Sequence, residues 1–515
     1  MLNLATGNPE KNTQGASSTI FVLPFRYQLV KTDLDGPSCW YQSEGRLAPE
    51  AEWIDRKRYF TPETSTVLFE HAQRYYCKGD RSEFFDPENE FFLLDGNKVS
   101  VEFEAPEIIL FEDHAFKYRE GRSGQKQEEF FNTGFLLIKA YFPEKENAPV
   151  PSFDDLLFFN EMFRYWRSPF ENHKDEMSRF LKGKETGEEV DWDGYLSLYL
   201  RRWQKFLQIP LAKDGHTTEY YSLFPEQWIG DAESWIHDEF RGKGEQSRMG
   251  WICYADNRAF VWSNAVIPGG LTNLEGLTKD NSKLEPESCG YWVKLLNVDK
   301  PWKGQSSLSI NEATVFEQTW AKERTYYRWA HSGSLYGYSY HSGVFLSGLS
   351  SKDGPYFSNI FRRHYLDMTL LLLFLRMTIF RFSSRLTELT AEVRRSSKGD
   401  WEKDFLELRK QFAIFTNLYQ FPLISNQQQM LELYQKARKQ LDVDDLFKEV
   451  EEEIRNTQEY FSAQKAEQLN WKMTLLTWVG LSLTVLGTIY TLVDSDKLSI
   501  LPLLVSLKNW LTSLF

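Results

Sequence analysis

The alternation of apolar and polar positions along the chain predicts a mixed α/β body followed by helices. Runs rich in β-branched and aromatic residues predict strands at residues 99–112 and 133–142, and a hairpin over residues 249–267. A helix is predicted after Ser152, because serine favours the N-cap position and helical spacing of apolar residues follows it. The body predicted from these patterns extends to about residue 355.

Two helical patterns follow the body. The first covers residues 357–395, and its segment from Met368 to Leu375 is apolar nearly all round. Because a membrane span needs about 20 apolar residues, this shorter segment predicts a helix that is buried inside the protein. The second pattern ends at Phe421, since the residue before a proline avoids α geometry.

A third helical pattern runs from Leu441 to Val493 without a proline. Its first half carries an apolar stripe at spacings of four, four, three and four, formed by Leu446, Val450, Ile454, Thr457 and Phe461. A single helix of this length would be about 80 Å long at about 1.5 Å per residue. The pattern therefore predicts one helix that extends far from the body.

Two apolar segments end the chain and predict membrane helices. The first, residues 473–493, contains no charged residue. The second, residues 498–515, is shorter and contains Pro502 and Lys508, so that an interfacial hairpin arm is the alternative to a second span. The predicted fold class is an α/β cytosolic domain, a long-helix stalk and two C-terminal transmembrane helices. The predicted domains are a flexible leader (1–18), a cytosolic α/β sensor domain (19–355), a helical stalk (356–472) and a two-helix transmembrane region (473–515).

Polar residues repeat every seven positions along the third helical pattern and predict a pore lining. They are Asn470, Thr477, Thr484 and Thr491, with Thr488 four residues after Thr484. In an isolated helix, threonine hydroxyls bond to the carbonyl one turn earlier. In a ring of helices, the same side chains would line a water-filled path, and Asp494 and Asp496 would place carboxylates at its outer mouth. The sequence favours the ring.

The charge balance excludes one class of partner, and the absence of motifs excludes several kinds of site. The chain has 73 Asp and Glu against 60 Lys and Arg, a net charge of −13, which argues against binding of polymeric nucleic acid. The four cysteines are scattered, and no metal motif, P-loop or nucleophile elbow occurs, so neither a metal nor a catalytic residue is predicted. No signal peptide is visible, and the body is expected in the cytoplasm.

One polar stretch of the body is a candidate ligand site. Between residues 328 and 343, glycines alternate with groups that pair with phosphates or stack on a base. The candidate ligand-binding residues are Arg328, His331, Ser332, Tyr336, Tyr338 and His341. The alternative, which has somewhat more weight, is a glycine-rich turn that leads into packed tyrosines.

The order of these parts resembles the CorA family of membrane ion transporters. The likeness is most specific over residues 316–515, in the segments RTYYRWAHSGSLYGYSYHSGVFL, YLDMTLLLLFLRMTIFRFSSRLTEL and NLYQFPLISNQQQMLELYQ, which resemble large CorA-like proteins associated with type III CRISPR systems. The resemblance implies a homopentamer whose first membrane helix lines the pore. Magnesium-transporting members have Gly-Met-Asn where this chain has Thr491, Leu492 and Val493, which argues against selective magnesium transport.

These observations together predict a channel that is gated by a ligand of its cytosolic domain. The resemblance implies an antiviral effector that responds to an adenine-nucleotide messenger, with an S-adenosylmethionine–AMP conjugate as one form of it. The expected location is the inner (plasma) membrane of a prokaryote, as a multi-pass protein whose large N-terminal domain lies in the cytoplasm. The expected partners are membrane lipid, further copies of the chain and a small nucleotide. A divalent-cation transporter with altered selectivity and a membrane-anchored scaffold or enzyme are the alternatives.

Overall fold

The computed structural model describes most, but not all, of the chain. The described residues are 3–7, 16–27, 40–42, 50–77, 90–92, 98–104, 106–111, 132–144, 149–165, 203, 208–213, 217–222, 251–253, 258–274, 277–278, 283–299, 314–348, 354–395, 400–421, 423–492, 506 and 509. The chain divides into two units, Met1–Phe447 and Lys448–Phe515. The first unit contains the sheets and most of the helices.

The strands come from all parts of the first unit up to residue 348. They are β1 (Ser18–Tyr27), β2 (Trp40–Gln42), β3 (Ala72–Cys77), β4 (Glu90–Phe92), β5 (Lys98–Ser100), β6 (Glu102–Phe103), β7 (Glu107–Phe111), β8 (Asn132–Tyr141), β9 (Gln208–Lys213), β10 (Thr217–Ser222), β11 (Trp251–Cys253), β12 (Phe260–Ile267), β13 (Thr325–Tyr326), β14 (Ser334–Tyr338) and β15 (Ser342–Gly348).

Eleven of these strands form one mixed sheet in the order β13-β14-β15-β12-β1-β8-β7-β3-β2. Two short strands lie off this path, β11 beside β1 and β6 beside β8. Strands β12 and β15 run parallel, whereas the other described pairs run antiparallel. The remaining strands form two antiparallel pairs, β4 with β5 and β9 with β10. The predicted α/β character of the body is confirmed.

The helices are concentrated in the second half of the chain. They are α1 (Glu50–Tyr59), α2 (Pro62–Thr66), α3 (Phe153–Phe163), α4 (Gly290–Asn297), α5 (Val315–Arg324), α6 (Gly354–Ile360), α7 (Leu366–Arg395), α8 (Asp400–Tyr419), α9 (Gln428–Gln440) and α10 (Val443–Leu492). Single π-helical turns connect α2 to β3 (Val67–His71) and α6 to α7 (Phe361–Tyr365).

One face of the sheet packs against α3. The rings of Phe159 and Phe163 contact the ring of Phe21 on β1, with centroids 5.6 and 4.8 Å apart. Buried hydrogen bonds fix the rotation of the helix, because Asn160 donates to Ser263 at 2.9 Å and accepts from a threonine of β1 at 2.8 Å. This packing leaves the opposite face of α3 available for charged residues.

The other face of the sheet packs against α6, α7 and the π turn between them. The ring of Trp262 on β12 stacks on Phe361 at 4.0 Å, and Phe111 on β7 stacks on Phe374 at 4.8 Å. The apolar segment of α7 is buried, as predicted, with Leu372 and Leu375 fully inaccessible. The sheet therefore lies between two helical layers.

A buried ion-pair network joins α7 to this second face. We name it the Asp367 network, and its members are Arg56, Arg74, Glu107, Lys139 and Asp367. Asp367 accepts from Arg56 at 2.7 Å and from Arg74 at 2.8 Å, while Glu107 accepts from Arg74 at 3.2 Å and from Lys139 at 3.1 Å. Because the charges contact each other directly, the low dielectric of the interior strengthens their attraction.

Three local predictions are confirmed by the structure, and one differs. The helix after Ser152 is α3, whose first turn has a complete capping box between Ser152 and Asp155. The predicted ends of the second and third helical patterns agree with α8 and α10 within two residues. The predicted hairpin over residues 249–267 differs, since β11 and β12 both pair with β1 and their described residues do not pair with each other.

Helix α10 supplies the described part of the second unit apart from Ser506 and Asn509. It is 50 residues long. Near its start, the predicted apolar stripe lies on the less accessible face of the helix, where Val450 and Ile454 are buried. From Leu469 to Val485, most large apolar side chains of α10 are exposed: Leu469, Trp471, Met473, Leu476, Trp478, Leu481, Leu483 and Val485.

The prediction of two C-terminal transmembrane helices is wrong. Among the residues that the structure describes, no helix combines the length and the apolar character that crossing a bilayer requires. In the described part of α10, polar hydroxyls, glycines and Lys472 interrupt the apolar residues. The membrane and ion-channel assignments and the multi-pass location in an inner membrane are wrong for the same reason. The predicted second span, 498–515, lies outside the described residues except at two positions.

Candidate functional site

Arg328 of the predicted ligand site already has a carboxylate partner. Its guanidinium donates to both oxygens of Glu432 on α9 at 2.8 and 2.9 Å, and the hydroxyl of Tyr326 donates to the same carboxylate at 2.6 Å. Hydrogen bonds from Tyr326 and Arg328 lower the pKa of the Glu432 carboxyl, and burial, which acts to raise this pKa, is outweighed. This cluster joins the edge of the sheet to α9.

The tyrosines that were predicted to stack on a base lie inside the protein. Tyr336 and Tyr338 on β14 are fully inaccessible. Tyr336 contacts the rings of Phe345 and Phe361, and the hydroxyl of Tyr338 bonds to Thr369 of α7 at 3.0 Å. Their ring faces are therefore in contact with the core rather than with solvent.

The remaining predicted ligand residues lie on the turns at the two ends of β14. His331 is exposed on the turn before β14, next to the partly buried Ser332, and His341 lies partly buried on the turn after it. The structure places all six candidates between β13 and β15, on β14 and its two connections, but does not bring them to one surface. A ligand site at this position stays a prediction.

The predicted pore-lining hydroxyls of α10 bond to their own helix. Thr477, Thr484 and Thr488 donate to the carbonyl four residues earlier at 2.8, 2.8 and 2.6 Å. Asn470 is exposed, and its carbonyl accepts from Thr474. This is the arrangement expected for an isolated helix. The side chain of Thr491 and both residues of the predicted outer mouth, Asp494 and Asp496, lie outside the described residues.

A second group of charged residues lies on and around α3 and α4. We name it the Lys294 cluster, and its members are Asp154, Glu161, Arg164, Lys294, Asp299 and Glu317. Four of the members are carboxylates that act electrostatically on the Lys294 ammonium, and Arg164 acts on Asp299. The cluster lies wholly within the first unit.

The start of α3 positions one side of the cluster. The capping box at Ser152 fixes the first helical turn, and the ring of Phe153 contacts Tyr291 of α4 edge-on with centroids 5.6 Å apart. Asp154 and Glu161 are seven residues apart, which places them on the same face of the helix two turns apart. One buried oxygen of Asp154, Oδ1, has no hydrogen-bond donor among the described residues.

The end of α4 positions Asp299, a second part of the Lys294 cluster. The helix ends at Val298, which adopts φ of 59°, a left-handed conformation that is an outlier for a β-branched residue. The chain then folds back, so that the amide of Asp299 donates to the carbonyl of Lys294 at 2.9 Å. The Asp299 carboxylate accepts from Asn297 at 2.6 Å. This strained end holds Asp299 beside the helix that carries the lysine.

Arg164 contributes a buried guanidinium at the C-terminal end of α3. The residue is only 5% exposed, and its Nε and Nη1 have no acceptor among the described residues. Its remaining nitrogen, Nη2, lies 3.5 Å from the hydroxyl of Tyr165, at the limit of a hydrogen bond. Buried guanidinium groups almost always have acceptors, so this arrangement calls for an explanation.

The pKa values in the cluster are displaced in the direction that disfavours charge. Burial lowers the pKa of Lys294 against the opposing effect of the four carboxylates. Burial, followed by the charge of Asp155, raises the pKa of Asp154, and burial raises the pKa of Asp299. Burial and the nearby Asp154 raise the pKa of Tyr291 to about 12. Displacements of this kind are typical of functional sites.

The chemistry available in the cluster is recognition of charged groups and proton transfer. Arg164 and Lys294 can bind an anionic group, and the carboxylates of α3 can accept from an amine or hydroxyl. Cys289 at the start of α4 is buried, and burial raises its pKa to about 11, so its thiol is inert. Within the described ranges, no group of three or more His, Cys, Asp or Glu is arranged to hold a metal ion.

No local sequence pattern identifies this cluster. Its members come from segments more than a hundred residues apart, and each one alone resembles an ordinary surface charge. The available signals were the capping-box sequence at Ser152 and an arginine in an otherwise aromatic stretch, Phe163 to Trp166. Neither signal specifies which residues from the rest of the chain lie next to α3.

No protein-family model, no curated protein and no solved structure matches this chain. The resemblance to the CorA family therefore stays a prediction.

Proposed function

We propose that this chain is a small-molecule-binding protein whose ligand is held by the Lys294 cluster. The observation that carries the proposal is the buried guanidinium of Arg164, whose Nε and Nη1 have no acceptor among the described residues. A buried donor without an acceptor costs about 1–3 kcal/mol or more when it is charged. An anionic group on a ligand would remove this cost and provide binding free energy.

The composition of the cluster supports a ligand that has both an anionic group and a hydrogen-bond donor. Arg164 and Lys294 supply the cationic side of the site. Asp154 supplies an acceptor, because its Oδ1 is buried and has no donor among the described residues. The partly buried ring of Tyr291, which contacts Phe153 next to Asp154, adds an aromatic surface.

A nucleotide has all of these features. Its phosphate would accept from Arg164 in the bidentate geometry that guanidinium groups favour, and the exocyclic amine of adenine would donate to a carboxylate. Adenine nucleotides are therefore the first ligands to test, and the proposal applies equally to other small molecules with a phosphate or carboxylate.

The test is calorimetric titration of the full-length chain with AMP, ATP and inorganic phosphate. Arg164→Gln should weaken binding about 10- to 150-fold, since hydrogen bonds to charged groups contribute about 1.5–3 kcal/mol. The matched control is Arg385→Gln, which removes an exposed arginine that pairs with Glu388 on the surface of α7. Equal affinities of Arg164→Gln and the unaltered chain would refute the proposal.

We also propose that copies of the chain associate through α10. Apolar and small residues recur along this helix at spacings of four and three, the repeat of a coiled-coil seam, at Leu469, Met473, Leu476, Gly480, Leu483 and Gly487. The four large members are between 51 and 63% exposed, and a Cβ built on either glycine would meet nothing within 4 Å. An identical helix would cover this seam with matching spacing, and the glycines would allow close approach.

Native mass measurement of the full-length chain tests this association. The mass should correspond to an oligomer, with the predicted pentamer as one outcome, and Leu476→Asp should reduce it to that of one chain. Ser482→Asp, which places the same charge off the seam, should leave the oligomer intact. An unaltered chain that runs as a single copy at micromolar concentration would contradict the proposal.

A further inference from the structure

A buried histidine lies in the π turn between α6 and α7. The side chain of His364 is 7% exposed, and its ring contacts the ring of Tyr59 on α1 with centroids 4.5 Å apart. Its Nε2 lies 3.3 Å from a carboxylate oxygen of Asp55, also on α1, whose side chain is 74% exposed. The histidine therefore connects α1 to the π turn beside a carboxylate at the surface.

Both ring nitrogens of His364 are buried, and neither makes a well-formed hydrogen bond with a described residue. Nε2 is at ion-pair distance from Asp55, whereas Nδ1 has no acceptor among the described residues. A neutral imidazole carries a single proton, and with that proton on Nε2 the other nitrogen needs no acceptor. A protonated imidazole has a proton on both nitrogens, so its Nδ1–H would be a buried donor without an acceptor. The geometry therefore accommodates the neutral ring and disfavours the charged one.

The titratable and charged groups around His364 come from three elements. They are Asp55, Arg56 and Tyr59 on α1, Arg362, Arg363 and Tyr365 on the π turn, and Asp367 on α7. Burial, together with Arg56, lowers the pKa of His364 against the opposing effect of the two carboxylates. The pKa of Asp367 is lowered, because its two arginines outweigh burial, and burial raises the pKa values of Tyr59 and Tyr365. Those three groups therefore keep their charge state near pH 6, where a histidine titrates.

We propose that His364 is a pH-sensitive latch between α1 and the π turn. The neutral imidazole packs between the two elements and keeps them in contact. A proton that solvent adds at Nδ1 makes the buried position unfavourable, so the ring moves out to water, where the exposed Asp55 is within its reach. The contacts between α1 and the turn then open, including the ring contact with Tyr59. The latch is separate from the Lys294 cluster and does not depend on the proposed function.

The π turn is anchored on both sides of the histidine. Its first residue, Phe361, stacks on Trp262 of β12 at 4.0 Å, and its last residue, Tyr365, contacts the ring of Tyr336 on β14 at 5.5 Å. His364 lies between these anchors and faces α1 instead of the sheet. Single π turns inside α-helices are rare and occur frequently at functional sites. Movement of this one side chain can therefore release α1 while the anchors keep α6 and α7 on the sheet.

Hydrogen–deuterium exchange of the full-length chain at pH 7 and pH 5.5, with exchange times scaled to the intrinsic rate at each pH, tests the latch. The pKa of His364 is lowered by burial in the closed form, whereas that of a released histidine is about 6.5. Opening therefore becomes easier as the pH falls below about 6.5, by up to tenfold per pH unit. Peptides that cover Glu50–Tyr59 should exchange roughly three- to tenfold faster at pH 5.5, whereas peptides of α8 should not.

Two variants assign the effect to this histidine. His364→Gln keeps a donor that can face Asp55 and stays neutral at both pH values, so the exchange of α1 should then differ by less than about twofold between them. The matched control is His331→Gln, which removes an exposed histidine and should keep the full increase. Exchange at the C2 position of the histidine rings gives a second measurement on the unaltered chain, because it reports the protonation of His364 directly. His364 should titrate over the same pH range as the opening of α1.

The outcomes separate a latch from a buried histidine with a purely structural role. Faster exchange of α1 at pH 5.5 that is lost in His364→Gln and kept in His331→Gln supports the inference. Exchange that rises in α1 no more than in α8 overturns it, since the whole fold then responds to acid. An increase that persists in His364→Gln, or a titration of His364 over a different pH range from the opening of α1, overturns it as well.

Discussion

The body contains two groups of charged residues on opposite sides of its sheet, and they are built in opposite ways. In the Asp367 network, the carboxylates contact their cations at 2.7 to 3.2 Å. In the Lys294 cluster, neither Lys294 nor Arg164 forms an ion pair with a described residue. The pKa values differ accordingly. The pKa of Asp367 is lowered, because the effect of Arg56 and Arg74 outweighs that of burial. The pKa of Asp154 is raised, because burial is the larger effect there.

The difference shows which charges the fold requires. The Asp367 network connects α7 to three strands, so each charge in it stabilises the position of a neighbouring element. The cations of the Lys294 cluster, Lys294 and Arg164, form no ion pair with a described residue, so their burial carries a desolvation cost. Groups that reduce local stability in this way are expected at sites that bind or react. The three predictions below test this contrast between the two groups.

The largest expected effect is that of Asp367→Asn. Removing this carboxylate leaves the charge of Arg56 uncompensated and leaves Arg74 with Glu107 alone, which costs about 3–5 kcal/mol of the free energy of unfolding. Urea denaturation followed by tryptophan fluorescence measures this loss. The matched control is Glu388→Gln, which breaks an exposed pair with Arg385 and should cost no more than about 1 kcal/mol. Similar losses for the two variants would show that the network does not hold α7.

A smaller effect, with a defined pH dependence, is expected for Glu107→Gln. Burial would raise the pKa of Glu107, but Lys139 and Arg74 outweigh burial and lower it to about 2. In the unfolded chain the pKa is about 4.3. Because the folded value is the lower one, the carboxylate stabilises the fold above about pH 4.3, and this contribution of about 3 kcal/mol is lost as the pH falls toward 2.

The pH dependence of urea denaturation measures this contribution. The unaltered chain should lose stability steeply between about pH 4.5 and 2. Glu107→Gln should be less stable at pH 7 and should show a shallower slope over that range. Parallel curves for the two proteins would show that Glu107 is not linked to the ion pairs.

The smallest effect on stability is expected for Lys294→Met. The lowered pKa shows that the fold disfavours the charged ammonium relative to water. Removing the charge should therefore change the free energy of unfolding by less than about 1 kcal/mol at pH 7, although the residue is partly buried. Calorimetric titration with AMP or phosphate should show weaker binding at the same time. A loss of several kcal/mol would place Lys294 among the structural charges.

Local sequence patterns predicted the elements of this protein better than their arrangement. The capping residue Ser152 and the apolar spacing of α10 specify helices through neighbours in sequence, and both helices were predicted. The parallel pairing of β12 with β15 and the placement of β11 beside β1 depend on contacts between distant segments. A local pattern contains no information about such contacts.

The same limit applies to the candidate site. The tyrosines between residues 328 and 343 have the composition of a ligand site, but alternation along β14 turns Tyr336 and Tyr338 toward α7 and into the core. Arg164 and Lys294 have no distinctive sequence context. They become conspicuous only when the fold buries one and leaves both without an ion pair to a described residue.

Hydrogen–deuterium exchange of the full-length chain, with and without AMP or phosphate, tests the central claim most directly, because it locates the ligand. Binding to the Lys294 cluster should slow exchange in peptides that cover Ser152–Tyr165 and 290–299, and Arg164→Gln should abolish this protection. Exchange in α7 and β3, around the Asp367 network, should stay unchanged. Protection confined to residues 325–343, or the same protection in Arg164→Gln, would contradict the account.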